Sequence, residues 1–211
     1  LTHNYTGYPM IRQAREMIAS GMLGALRVVQ AEYPQDWLTE RLEASGQKQA
    51  DWRTDPARSG AGGCVGDIGT HAYNLACFVT GLTAEELAAD LTTFVDGRKL
   101  DDNVHVMLRF SGGARGMLWA SQVAPGNENG LRLRVYGEKG GLEWEQEHPN
   151  HLWYTPFGEE KRLITRGGAG AGAAAARVSR IPPGHPEGYL EGFANIYQEA
   201  ARAIRAARGG T

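Results

Sequence analysis

The sequence predicts an α+β domain, a large and mostly antiparallel sheet with its helices on one face. Three observations carry that expectation. Apolar residues recur at helical spacing in two segments near the start of the chain and in one at its end. Between them the period changes to two, most clearly from Asn103 to Phe110. The alternating segments are joined by short glycine turns, Gly112-Gly113 and Lys139-Gly140-Gly141, which suit antiparallel neighbours.

Leu1 to Tyr5 reads as the end of a strand leading directly into a helix, and the chain, opening without a methionine, as a piece of something longer. Tyr8 to Met22 reads as an amphipathic helix: Pro9 suits its first turn, Ile11, Ala14 and Ile18 share a face, and Gly21 and Gly24 help end it. Leu26 to Tyr33 is strand-like and runs into Gln35, Asp36 and Trp37. Leu38 to Gly60 is polar and reads as a long loop carrying Trp52 and Arg53. A second helix follows and stops near Gly81.

From Ala88 the strand period takes over. Val104, Val106, Leu108 and Phe110 form one face, with His105, Met107 and Arg109 opposite. Further strands are expected at Ala114 to Val123, around Leu131, Leu133 and Val135, and at Leu142 to Glu147, His151 to Thr155 and Lys161 to Thr165. Pro186 to Ala207 is a closing helix with Leu190, Phe193, Tyr197, Ala200 and Ile204 on one face. Several strands carry large residues on both sides, such as Trp119 against Leu118, and Arg134 with Tyr136 against Val135. A sheet with one face on its own helices and a semi-apolar second face meets a partner, so a homodimer or homotetramer is expected; sandwich packing within the chain is the alternative.

The 211 residues are 42% apolar and 22% charged, ordinary for a globular domain. A formal charge of −2 argues against a nucleic-acid partner, and no apolar run is long enough for a membrane span. Cys64 and Cys77 sit in or beside one helical segment and give no disulfide framework, which fits a reducing cytoplasm.

The most informative segment is Gly66 to His71, GDIGTH, which sets an acid and a histidine four apart at a helix start. Val65, Ile68, Ala72, Leu75, Ala76 and Val79 recur as one apolar face. At about 100° per residue, Asp67, His71, Asn74 and Phe78 fall on another stripe, turned towards a cleft. A histidine is the usual proton acceptor near neutral pH, and a carboxylate one turn away fixes its tautomer or shares its hydrogen bonds. That is the chemistry of removing a proton from an alcohol. The same spacing also serves on helix surfaces, for a few tenths of a kcal/mol. Five glycines in GAGGCVGDIGT are costly in a helix and imply that backbone approaches another element or a ligand closely.

Other motifs carry less. Gly168 to Ala173 matches the letters of a dinucleotide fingerprint but lacks the strand before it and the helix after it. The Gly167 to Ala176 segment is low-complexity and reads as a mobile loop. His148 and His151 flank Pro149-Asn150 and read as a solvated loop, with no metal site implied. His185, within PGHPEGY, is either held for function by its prolines and glycines or simply part of a rigid helix entry.

Taken together the segments resemble the C-terminal domain of the Gfo/Idh/MocA family of NAD(P)-dependent sugar and cyclitol dehydrogenases. The resemblance runs through HNYTGYPM, GMLGALRVVQAEYPQDW, DWRTDPARSGAGG, GDIGTH, LDDNVHVMLRF, LRVYGEKGGLEW and GHPEGYLEGFANIY, in that order. It implies that residues 1–7 are the last strand and linker of a nicotinamide-binding Rossmann domain, and that 8–211 form a substrate-binding and oligomerisation domain. It also implies that the family's catalytic lysine, borne on a Glu-Lys-Pro motif of the missing domain, is not in this chain.

By the same resemblance His71 takes a substrate hydroxyl proton while Asp67 orients His71 or the sugar. Trp52 and Arg53 match a Trp-Arg pair that approaches the NAD or NADP cofactor or the active-site cleft in relatives. His185, Gln35, Asp36 and Asn74 are expected to reach the sugar or polyol. The isolated chain is expected to be inactive. A different class of reading is a stand-alone sugar-binding or oligomerisation module without catalysis. A third, a metal-dependent isomerase or hydrolase, lacks a third ligand at a convincing spacing.

Overall fold

The structure, a computed structural model, describes residues 1–209. Leu1–His3 carry no regular structure and Asn4–Gly7 form a 3-10 turn, so no strand forms at Leu1 to Tyr5. Strand backbone needs a neighbour to bond with, and no strand of the described residues runs beside this segment. Helix α1, Pro9–Ala19, begins with Pro9 in its first turn, where a missing N–H costs nothing. It buries Met10, Ile11, Ala14 and Met17.

Strand β1 is Leu26–Pro34. The segment after it, expected as a loop, holds a 3-10 turn at Leu42–Ser45 and two short helices, α2 (Lys48–Arg53) and α3 (Pro56–Ser59). Each is capped locally. Gln47 accepts from Ala50 N and Asp55 accepts from Ala57 N, satisfying first-turn donors that a search for long apolar periodicity overlooks. Trp52 and Arg53 therefore stand on a helix, α2.

One π-helical turn, Val65–Gly69, leads into helix α4, Thr70–Thr80, which ends at Gly81 in the left-handed conformation. Ile68, Ala72, Leu75, Ala76 and Val79 are buried, the face the spacing predicts. Strand β2 is Ala84–Thr92, starting before the expected change of period. Its alanines, glutamates and leucines favour a helix, but pairing along β3 overrides that preference. Strands β3 (Asn103–Phe110), β4 (Arg115–Ser121), β5 (Arg132–Gly137), β6 (Gly140–Glu145), β7 (His151–Pro156) and β8 (Arg162–Thr165) follow.

The eight strands form one sheet in the order β2-β3-β4-β1-β5-β6-β7-β8. All neighbours are antiparallel except β1 and β4, which run parallel at its centre. That pair decides where the site lies. Parallel strands end together, so Tyr33 and Gln35 at the end of β1 come beside Gln122 just after β4, with Gln35 N donating to Ser121 O at 2.7 Å. The start of β5 arrives at the same edge.

Helices α1 and α4 cover one face of the sheet. The other face is open, and Val28, Met107, Met117 and Trp153 are exposed on it. The Gly/Ala segment expected to be mobile contains a short helix, α5 (Ala173–Ala176), docked on α1: Ala175 is buried and Gly172 N donates to Gln13 Oε1 at 2.6 Å.

The closing helix α6, Tyr189–Gly209, differs from the expected amphipathic packing. It buries Gly192 and Asn195, while Leu190, Tyr197 and Ile204 are exposed. Close approach of backbones explains this. A Cβ on Gly7 would stand 2.2 Å from Gly192 O, and Asn195 Nδ2 donates to Gly7 O at 2.9 Å. The two glycines and the asparagine, not the apolar stripe, dock α6 on the N-terminal turn. No helix among the described residues is long and apolar enough to cross a membrane.

Candidate active site

The π-helical turn that presents Asp67 is fixed by one buried carboxylate. Asp101 Oδ1 accepts from Gly63 N at 2.7 Å, and Oδ2 accepts from Val65 N at 2.8 Å and from the Cys64 thiol at 3.1 Å. A Cβ on Gly63 would meet Asp101 O at 2.0 Å. The glycine-rich stretch thus allows backbone to close on another element, one of the two uses its composition implies. Burial and the neighbouring carboxylate push the Cys64 thiol well above its ordinary range, so it stays a protonated donor.

Asp67 and His71 line one cavity of about 510 Å³ with Tyr5, Tyr33, Gln35 and Asn129. Asp67 Oδ2 accepts from Arg53 Nε at 3.2 Å and from Gln122 Nε2 at 2.8 Å. Arg53 in turn lies 4.2 Å over the Trp52 ring. Among the described residues no hydrogen bond joins Asp67 to His71. The π-helical turn places the acid against α2 and β4 instead.

The His71 ring packs edge-on against Tyr5 and Tyr33, at centroid distances of 5.3 and 6.5 Å. Its hydrogen-bond contact is His3, with the two Nδ1 atoms 3.5 Å apart. Burial first, and the His3 charge second, hold the His71 pKa below its ordinary 6.5, while Asp67 acts the other way. His71 is therefore neutral, a proton acceptor, at neutral pH.

Polar side chains of the wall are bonded to one another. Tyr33 Oη donates to Asn129 Oδ1 at 2.7 Å, so in the 2.5 Å contact between the two phenols Tyr5 is the donor. Gln35 Nε2 donates to the same Asn129 oxygen at 2.9 Å, and Gln35 Oε1 accepts from Trp37 Nε1 at 3.1 Å. Asn129 Nδ2 donates onward to Gln146 at 2.8 Å. Burial raises both phenols above their usual range, so they remain neutral.

The structure brings Asp67, His71, Gln35 and Arg53 to the cavity and leaves four expected contacts outside it. Asp36 turns away, its Oδ2 accepting from Gly126 N at 3.2 Å. Asn74 lies one turn beyond His71 and does not line the cavity, because the stripe continues beneath α1, where Arg12 and Arg15 cover Phe78. His185 is exposed. Buried Arg166, paired with Glu187 at 2.9 Å, binds the carbonyls of Ile181, Pro182 and His185, so the prolines and glycines serve a rigid helix entry. Trp52 supports Arg53 and is not itself part of the wall.

Tyr5, Tyr33, Gln122 and Asn129 join the site without a motif to announce them; only their place at strand ends or in the N-terminal turn selects them. No group of three His, Cys, Asp or Glu side chains fit to hold a metal occurs among the described residues.

Residues 11–143 match the family model described as the GFO/IDH/MocA C-terminal domain. The chain belongs to the GFO/IDH/MocA family. An oxidoreductase from Sinorhizobium meliloti is 67% identical and superposes with a TM-score of 0.86 over 99% of this GFO/IDH/MocA chain and 54% of its own. An inositol dehydrogenase homolog from Azotobacter vinelandii, complexed with NADH and myo-inositol, is 34% identical with a TM-score of 0.90, covering 99% and 53%. The levoglucosan dehydrogenase of Pseudarthrobacter phenanthrenivorans is 26% identical over 71% of this chain and 42% of its own. The chain thus spans about half the length of the relatives it matches.

Proposed function

We propose that this chain is the substrate-binding and catalytic half of an NAD(P)-dependent dehydrogenase that oxidises a hydroxyl of a sugar, sugar derivative or cyclitol. One observation carries the reading: a neutral imidazole and a carboxylate line a single cavity walled by amides and phenols. Such a wall offers many uncharged donors and acceptors, which suits a neutral polyhydroxylated ligand better than an anion.

In the proposed reaction His71 accepts the proton of the reacting hydroxyl. Asp67 is held through Oδ2 by Arg53 and Gln122, leaving Oδ1 to accept from a substrate hydroxyl. Its charge also favours the imidazolium that forms. Gln35, tied to Asn129, sets the register of the neighbouring hydroxyls. A nicotinamide, when bound, supplies the hydride acceptor. The cavity fits that ring end: Gln47 and Gln49 beside Arg53 match the donors and acceptors of a carboxamide, and Ile68 adds an apolar surface. By family resemblance the phosphates belong to another domain, so these 211 residues alone are expected to show no turnover.

The open sheet face is proposed to join copies of the protein. It presents Met107 and Met117 beside ion pairs such as Arg134–Glu32 at 2.5 Å.

The test is nicotinamide reduction, followed by absorbance, with this chain and with a version extended to the length of its relatives, against sugars and inositols. Activity in the longer protein alone supports the reading and names the substrate. Silence from both, with sugar binding that needs no cofactor, would move the assignment to a binding module.

A further inference from the structure

Asp67, expected to orient His71 or the sugar, makes no hydrogen bond to His71 among the described residues. Both hydrogen bonds of Asp67 go to Arg53 and Gln122, and the Tyr5 hydroxyl is committed to Tyr33. Among the described residues the one hydrogen-bond partner of the His71 ring is the imidazole of His3, just before the first turn. The two rings meet edge to face, 5.0 Å between centroids and 87° between planes. The contact brings the two Nδ1 atoms to 3.5 Å.

We propose that His3 is a positioning residue that sets the tautomer of His71: His71 donates Nδ1–H to His3 Nδ1 and keeps Nε2 unprotonated for the substrate. This rests on the dehydrogenase reading for its purpose but not for its geometry. A neutral imidazole carries one N–H, so engaging Nδ1 as donor leaves Nε2 as the base. When Nε2 takes the hydroxyl proton, His71 becomes an imidazolium with both nitrogens protonated. The Nδ1–H bond to neutral His3 then becomes charge-assisted and strengthens. No atom other than that proton changes owner. Catalytic hydrogen bonds are often long before substrate binds, and this contact, at 3.5 Å, is a long one.

The charged and titratable surroundings agree. His71 faces His3 and Tyr5 from the N-terminal segment, Tyr33 from β1 and Asp67 from its own turn, with Arg53 of α2 behind that acid. Burial holds both imidazoles below the ordinary 6.5, so both are neutral at neutral pH and each carries one N–H.

Histidine-labelled protein and long-range ¹H–¹⁵N correlation spectra at about pH 8, where histidines are neutral, read the tautomer directly. The wild-type chain should show His71 protonated at Nδ1. His3→Leu should shift it towards Nε2–H, and His3→Gln, whose carboxamide oxygen accepts, should restore Nδ1–H. A wild-type His71 protonated at Nε2, or a tautomer unchanged in His3→Leu, overturns the proposal; the first reading stands even if His3→Leu fails to fold. In the longer protein, His3→Leu should lower kcat by about 10- to 100-fold with KM little changed, and His3→Gln should recover it. If that protein reduces no nicotinamide at all, the dehydrogenase reading fails while the tautomer result still decides this one.

Discussion

Arg53 Nε lies 3.2 Å from Asp67 Oδ2, joining a short helix of the long β1–α4 connection to the turn that starts α4. The guanidinium also stacks on Trp52, so the acid is held by a cation that is itself held flat. Removing it should free both Asp67 and α2. Arg53→Ala in the longer protein is expected to lower kcat/KM for the sugar by 10- to 100-fold, roughly the cost of a misplaced catalytic group. Arg53→Lys should recover little, because an ammonium cannot both stack and direct its Nε donor. Steady-state kinetics of the two variants check this.

His71→Ala should cut turnover by about 10²–10⁴-fold, as for a lost acid–base group. Wild-type activity should persist to lower pH than an ordinary histidine allows, because burial and His3 hold the His71 pKa below 6.5. A pH–rate profile with its acidic limb at or above that value would remove His71 as the base.

The same depressed pKa values predict a stability trend. Folded His3 and His71 bind fewer protons than their unfolded counterparts just below 6.5, so stability rises with pH there. The contribution is complete above the unfolded pKa and is lost as pH falls through the folded values. Calorimetry should show Tm falling between about pH 7 and pH 5, with a shallower fall in His71→Gln.

Asp101→Ala leaves the N–H groups of Gly63 and Val65 and the Cys64 thiol without their shared acceptor. Urea denaturation should show a loss of roughly 2–4 kcal/mol, the range for a buried carboxylate with several partners.

Asn129→Leu strips the acceptor from both Tyr33 and Gln35. Binding of myo-inositol or the assay's best sugar to the longer protein should weaken about ten-fold, or roughly 1.4 kcal/mol. Calorimetric titration reads this, and an unchanged affinity would take the Asn129 cluster out of the substrate wall.

On the open face, Met107→Glu with Met117→Glu puts two carboxylates into an apolar patch. Light scattering after size exclusion should show a smaller particle than the wild type if this face joins copies. An unchanged mass would move the interface elsewhere.

Local spacing was enough for strands such as β3 and for the buried face of α4, though not for β2. Alternation at Asn103–Phe110 and the 3.6 period after Gly66 report burial that each element imposes on itself, whatever its neighbours. The Asp67–His71 pair was legible for the same reason. Tertiary structure alone decided what each of the two touches. The parallel β1–β4 pair, which no run of residues signals, gathers Tyr33, Gln35 and Gln122 at one sheet edge. A π-helical turn swings Asp67 to Arg53, and the N-terminal turn brings His3 to His71. His185 shows the converse: its rigid neighbours were visible, but the buried Arg166–Glu187 pair that leaves its ring in solvent was not. Periodicity records which side of an element is dry, whereas a site is made by contacts between residues far apart in the chain, which only packing specifies.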